Sequence, residues 1–123
     1  MSKKVLIVED NFIIQMFLEE ILMGLGHDII ASTDNGADAL ALSERLSPDV
    51  ILLDIGISGE QNGIELAGTI KERFGIPFVF LTGNSDKATL DEAWDQGPLH
   101  IIQKPIDEDK LKVEFSDIIE KLN

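Results

Sequence analysis

Pro48-Asp49-Val50-Ile51-Leu52-Leu53-Asp54 holds a short, uninterrupted apolar run, Val50 to Leu53, that ends on a carboxylate. Such a run is too short for a helix and has no polar face, which is the pattern of a strand buried on both sides. Three further runs repeat the form. Val5-Leu6-Ile7-Val8 ends on Glu9 and Asp10, Pro77-Phe78-Val79-Phe80-Leu81 on Thr82, and Leu99-His100-Ile101-Ile102-Gln103 on Lys104.

Reading outward from these runs, strands fall near 4–8, 28–32, 49–53, 77–81 and 99–103. They alternate with helical patterns near 12–24, 36–46, 63–74, 86–95 and 108–122. Five βα units predict an α/β domain built on a mainly parallel sheet with helices on both faces. Gly26, Gly36, Gly75 and Gly97 stand between units, where a helix end favours a residue tolerant of positive φ, and Asp107 suits the N-cap of the last helix. In that helix Leu111, Phe115, Ile118 and Leu122 form one packing stripe.

Two helices read less simply. The first carries Ile14, Phe17, Leu18, Ile21 and Leu22 on one face but Phe12, Met16 and Met23 on the other, which loops would cover or a docking partner would use. The fourth has only Ala88, Leu90, Ala93 and Trp94 to anchor it, which predicts marginal stability.

Bulk properties narrow the function. The 123 residues are expected to form one domain, 1–123, with a single core and no effector domain. Nothing at the N-terminus resembles a signal peptide and no run would span a bilayer, so a cytoplasmic location and no membrane partner are expected. The chain lacks cysteine and has two isolated histidines, which argues against disulfides and a zinc centre. Its formal net charge of −13, from 23 acidic and 10 basic residues, argues against direct nucleic-acid binding.

In an open α/β sheet the ligand site lies beyond the carboxyl ends of the strands. Glu9, Asp10, Asp54, Thr82 and Lys104 all belong to that edge. Carboxylates about 4 Å apart at an effective dielectric near 20 repel by roughly 4 kcal/mol per pair. A hard cation relieves this, and magnesium, which retains waters and takes one or two carboxylates, suits the set better than calcium in a full protein cage. Taken singly, Glu9 and Asp10 could cap the first helix and Asp54 a turn. Jointly, with a hydroxyl and a lysine arriving from other strands, they point to phosphoryl chemistry with Asp54 as nucleophile.

The ordered set Glu9-Asp10, Pro48 through Asp54-Ile55, Asn62-Gly63-Ile64-Glu65-Leu66, Leu81-Thr82-Gly83 and Lys104-Pro105 resembles the response-regulator receiver (CheY-like) family over essentially the whole chain. The resemblance implies a flavodoxin-like (βα)5 doubly wound sandwich with strand order 2-1-3-4-5. It further implies that Asp54 accepts a phosphoryl group from a histidine kinase or histidine phosphotransferase in two-component signalling. Glu9, Asp10, Asp54 and the Gly56 carbonyl would hold Mg2+, Thr82 and Lys104 would contact the phosphoryl oxygens, and Lys104-Pro105 would be cis. Gly56 and Asn84 stand where the family tunes autodephosphorylation.

Ile101 departs from the family pattern, which places Tyr or Phe three residues before the lysine as a switch. Strand alternation sends His100 to the other face, so it reads as a solvated edge histidine rather than a substitute. Phe80-Leu81-Thr82-Gly83-Asn84 is similar to an atypical subgroup named for a Phe-Ala-Thr-Gly-Gly/Tyr motif, although Leu81 and Asn84 differ from it. That subgroup is often paired with HWE-class kinases. The reading is therefore a stand-alone receiver that acts on a downstream protein target and catalyses only its own phosphorylation and dephosphorylation. The alternatives are a degenerate receiver that binds partners without phosphorylation and a Mg-dependent phosphatase, disfavoured by Gly56 where haloacid-dehalogenase-like enzymes have Asp. A flavin module is disfavoured because Glu9 and Asp10 would repel the cofactor phosphate.

Overall fold

The computed structural model describes residues 2–57, 59 and 61–122. Its elements run β1 (Lys4–Val8), α1 (Phe12–Gly24), β2 (Asp28–Thr33), α2 (Gly36–Leu46), β3 (Val50–Asp54), α3 (Gly63–Phe74), β4 (Phe78–Thr82), α4 (Lys87–Asp95), β5 (Ile101–Gln103) and α5 (Glu108–Leu122). The strands form one parallel sheet in the order β2-β1-β3-β4-β5, as the resemblance implied.

Strand alternation divides the core into two layers. Leu6, Val8, Ile51, Leu53, Phe78 and Phe80 face α2, α3 and the buried Ala93 of α4, while Val5, Ile7, Val50, Leu52, Val79 and Leu81 face α1 and α5. β1, β3 and β4 bury both faces, which is why their sequences show no alternation of polar and apolar residues. On α5, Leu111, Phe115 and Ile118 are buried and Leu122 packs partly against them, while Asp107 caps the helix by accepting the Lys110 N–H at 2.8 Å.

Several details differ from the sequence reading. β3 and β4 extend through Asp54 and Thr82, one residue beyond the expected ends, because the sheet still engages the backbone there. The Ile55 N–H donates to Leu81 O at 2.9 Å and the Lys104 N–H to Thr82 O at 2.8 Å. β5 is regular only over Ile101–Gln103. Gly26, Gly75 and Gly97 adopt positive φ, but Gly36 opens α2 instead, and α2 closes on Ser47 at φ 47°. His100 is not free in solvent, since its Nε2 lies 3.3 Å from Glu114 Oε1 on α5. Ile101, by contrast, is buried with Phe80 and Ala93.

The second apolar face of α1 stays uncovered, with Phe12, Ile13, Met16 and Met23 all more than half exposed. On α4 only Ala93 is buried, and Trp94 is half exposed, as its sparse anchoring predicts. No helix among the described residues is long and apolar enough to cross a membrane.

One close approach fixes the loop that follows β3. Asn62 and Glu65 form a reciprocal capping box at the start of α3. The Gly63 N–H donates to Ile55 O at 2.9 Å, and this brings the helix end against the β3 backbone. A Cβ on Gly63 would stand 2.2 Å from Asp54 O and 2.6 Å from Ile55 Cα, both main-chain atoms that cannot swing aside. Gly63→Ala is expected to cost about 3 kcal/mol, the upper end of over-packing penalties, read as a lower urea midpoint. An unchanged midpoint would mean that α3 can back away freely.

Candidate phosphoryl and metal site

Asp54 ends the central strand and is 5 % exposed. Its neighbours arrive from strands on either side: Glu9 follows β1, and Lys104 follows β5 through a cis Lys104–Pro105 peptide bond. Glu9, Asp10 and Asp54 each bring a carboxylate oxygen to within 4.8 Å of the others. Lys104 Nζ lies 2.8 Å from Glu9 Oε1 and 3.4 Å from Asp54 Oδ1. Four of the residues singled out in the sequence therefore meet in one place.

Of the local roles open to these acids from the sequence alone, the structure keeps the turn contact for Asp54 but gives the α1 cap to Asn11. Asn11, not Glu9 or Asp10, caps α1, accepting the N–H groups of Ile13 and Ile14. Glu9 Oε2 accepts the Asn11 N–H at 2.9 Å, so Glu9 steadies the cap residue from below. Asp54 Oδ1 accepts the Gly56 N–H at 3.0 Å, a turn contact that leaves its other oxygen for chemistry. A Cβ on residue 56 would come within 3.6 Å of Asp54 Oδ1, so Gly56 keeps the approach to that carboxylate open.

Thr82 belongs to the site through its backbone but not yet through its hydroxyl. Its Oγ1 accepts the Asn84 N–H at 2.9 Å and lies 3.3 Å from Asn84 O as a donor. One supporting residue was absent from the sequence reading. Gln15 is buried, and its Nε2 donates to Glu9 O at 2.8 Å and Thr33 O at 3.2 Å, tying the ends of β1 and β2 together. Its signal was a polar residue on the buried stripe of α1, three before Leu18 and seven before Leu22. Gly63 stood in the motif, but only the packed helix shows why a side chain is excluded.

Electrostatics favour an added cation. Burial raises the Glu9 pKa and the Asp54 charge adds to this, against the opposing pull of Lys104 and the Asn11 amide. Burial alone would lower the Lys104 pKa, but hydrogen bonding to Glu9 and the charges of Asp54 and Glu9 outweigh it, so the ammonium is held. Glu9 Oε1 is fully buried, and the Lys104 ammonium that it meets at 2.8 Å is shared with Asp54, so one cation answers two carboxylates. A buried, incompletely satisfied carboxylate oxygen beside two more carboxylates fits an oxygen-seeking divalent ion.

A raised carboxyl pKa means that the folded state holds its proton more tightly than the unfolded chain. The Glu9 contribution to stability is thus complete below pH 4.5 and is lost as pH rises through the folded value. Urea titrations in EDTA across this window should show wild type losing stability relative to Glu9→Gln as pH rises. Parallel curves for the two proteins would contradict the burial argument.

Comparison with known proteins agrees with this geometry. Residues 5–116 match the response regulator receiver domain family. Over 117 residues the chain is 35 % identical to the transcriptional regulatory protein CrdR of Helicobacter pylori, covering 91 % of this chain and 53 % of that one. It is 32 % identical over 103 residues to PdtaR of Mycobacterium tuberculosis, covering 84 % and 50 %. The chain thus spans about half the length of these curated relatives. Among solved structures, the receiver domain of a modulated diguanylate cyclase from Desulfovibrio desulfuricans G20 superposes with a TM-score of 0.89 at 31 % identity, covering 99 % of this chain and 97 % of that one. The CheB receiver of Thermotoga maritima, at 24 % identity and a TM-score of 0.87 over 100 % and 98 %, shares the fold. The three strand-end acids, the paired lysine and the matched sequence together make this chain a member of the response regulator receiver family of two-component signalling.

Proposed function

We propose that Asp54 is a phosphoacceptor served by a histidine kinase or histidine phosphotransferase, and that the resulting aspartyl-phosphate alters affinity for a downstream protein. The observation that carries this reading is the Asp54 carboxylate at the end of the central strand, with the Lys104 ammonium 3.4 Å away and two further acids beside it. In the transfer, an Asp54 oxygen forms the new O–P bond as the N–P bond of the donor phosphohistidine breaks, and the leaving imidazole takes a proton from solvent.

Glu9, Asp10 and Asp54 would hold magnesium, with the Gly56 carbonyl as the remaining protein ligand that the family resemblance implies. When bound, the metal supplies charge neutralisation to phosphoryl oxygens. Lys104 holds its positive charge at the acceptor, and the Thr82 hydroxyl is the donor available to a phosphoryl oxygen once it leaves Asn84. Later hydrolysis of the acyl phosphate by water returns the carboxylate and inorganic phosphate. The chain acts on itself in both steps rather than turning over a small substrate.

The net charge of −13 favours a protein rather than a nucleic acid as the direct target. The resemblance at Phe80 through Asn84 makes an HWE-class kinase the first donor to try.

Intact mass after incubation with acetyl phosphate and magnesium tests the reading. One labile phosphoryl group is expected on the native chain and none on Asp54→Asn or in EDTA. No uptake from acetyl phosphate or from a phosphorylated kinase would favour a binding module that works without phosphorylation. A second expectation concerns the metal alone. Magnesium at ten times its dissociation constant should stabilise the fold by about 1.4 kcal/mol. The absence of a thermal shift would count against the metal assignment.

A further inference from the structure

A second oxygen-rich feature lies on the other side of β1 from Asp54. Asp10, Gln15, Thr33, Asp34 and Asp38 line a cleft of about 310 Å³ where β1 and β2 end, with Phe12 beside them and no basic residue in the lining. The three acids are exposed, and exposed acids by themselves select nothing. The buried member of the lining is what points to a ligand. Gln15 is 9 % exposed, and its Nε2 donates to two main-chain oxygens, Glu9 O at 2.8 Å and Thr33 O at 3.2 Å. Turning the amide over would set its oxygen against both carbonyls, so its orientation is fixed. Gln15 Oε1 accepts no hydrogen bond among the described residues. With the nitrogen spent on the strand ends, that oxygen is the polar atom the side chain gives to the cleft. Its donor must come from outside the chain.

The spacing of the acids separates the cations that could supply it. Among the described residues, the acids whose oxygens close to within 4.8 Å of one another as a set of three are Glu9, Asp10 and Asp54, not Asp10 with Asp34 and Asp38. The acids of the cleft are spread too widely to meet together on one small ion, and they suit a broad cation with several N–H groups. Asn35 holds two of them in place. Its Nδ2 donates to Asp34 Oδ1 at 2.9 Å and to Asp38 Oδ2 at 3.0 Å, which leaves the second oxygen of each carboxylate for a ligand. A guanidinium carries its N–H donors in one rigid plane and stacks on aromatic faces, and Phe12 offers an exposed ring next to these oxygens. An ammonium, compact and strongly hydrated, spans the set less well.

We propose that this cleft is a guanidinium site, filled by an arginine side chain of a partner protein. Asp34 and Asp38 are its charged acceptors, Gln15 Oε1 its neutral acceptor and Phe12 its stacking face. The chain's net charge of −13 favours a basic partner. Phe12 also adjoins the exposed Ile13 and Met16 of α1, so the cleft opens onto an apolar surface where the residues around such an arginine can pack. The site shares only Asp10 with the acidic cluster at Asp54 and does not depend on Asp54 accepting a phosphoryl group.

Amide chemical shifts of the full chain test this, titrated with Nα-acetylarginine amide at constant ionic strength and in excess magnesium, which keeps the probe from the acidic cluster. Saturable shifts are expected over Phe12–Gln15 and Ser32–Asp38, the Gln15 side-chain amide among them. Nα-acetylcitrulline amide, of the same shape without the charge, should produce no saturable shift, and the lysine counterpart should bind about fivefold more weakly. Free arginine, which brings an α-carboxylate to an acidic cleft, should bind no more tightly than the capped probe. Asp34→Asn should weaken binding about fivefold and Phe12→Ala about threefold, while Asp117→Asn, an exposed acid on α5, leaves it unchanged. A saturable response to citrulline or equal affinity for lysine would overturn the guanidinium assignment, and neither result needs a variant to fold. Asp34→Asn matching Asp117→Asn would reduce the site to a diffuse attraction of cations to an acidic surface. Tighter binding of free arginine would overturn the partner side chain as its occupant.

Discussion

Burying the Glu9 carboxylate beside Asp54, with one lysine to answer both, is the constraint around which the molecule is organised. Two anions in a largely dehydrated cleft repel, and a single ammonium at 2.8 and 3.4 Å offsets only part of that cost. The site is held together by the rigidity of what surrounds it. Its carboxylates stand at the ends of strands whose backbones are bonded to neighbours up to the functional residue and, at Ile55, beyond it. The residual negative charge is what an added divalent cation would neutralise.

The surrounding shell serves that edge at several points. Gln15 ties β1 to β2 beneath Glu9, Asn11 relieves Glu9 of any duty as a helix cap, and Gly63 lets α3 press onto the backbone of Asp54. Each is a small polar or glycine residue placed where an apolar side chain would leave a backbone group unpaired or a helix displaced. The site is thereby preorganised at Asp54 and Lys104. The Thr82 hydroxyl, by contrast, is engaged by the backbone of Asn84.

That contrast matters for signalling. A receiver needs a rigid acceptor and a second region whose equilibrium the acceptor can bias. In this chain the acidic edge lies at the ends of paired strands, and α4 is secured at one end through Gln96 and capped at the other by Asp86. Ile101 contributes packing beside Phe80 rather than a ring, and the loop after β4 carries a polar contact from Asn84 to Asp86.

Much of this was legible in the residues themselves. The runs of β1, β3 and β4 are readable because strands buried on both faces must be apolar throughout, and the polar residue that ends each run marks the sheet edge. From these runs follow the fold class and the grouping of Glu9, Asp10, Asp54, Thr82 and Lys104. His100 could not be placed, because its partner Glu114 lies fourteen residues away on α5. Nor could the steric ban at Gly63, the buried bonds of Gln15 or the orientation of the Thr82 hydroxyl. Local pattern records which face a side chain takes, since that depends on the repeat of its own strand or helix. Distances between elements, and the direction of each hydrogen bond, are set only when separate segments pack, and there the tertiary structure alone decides.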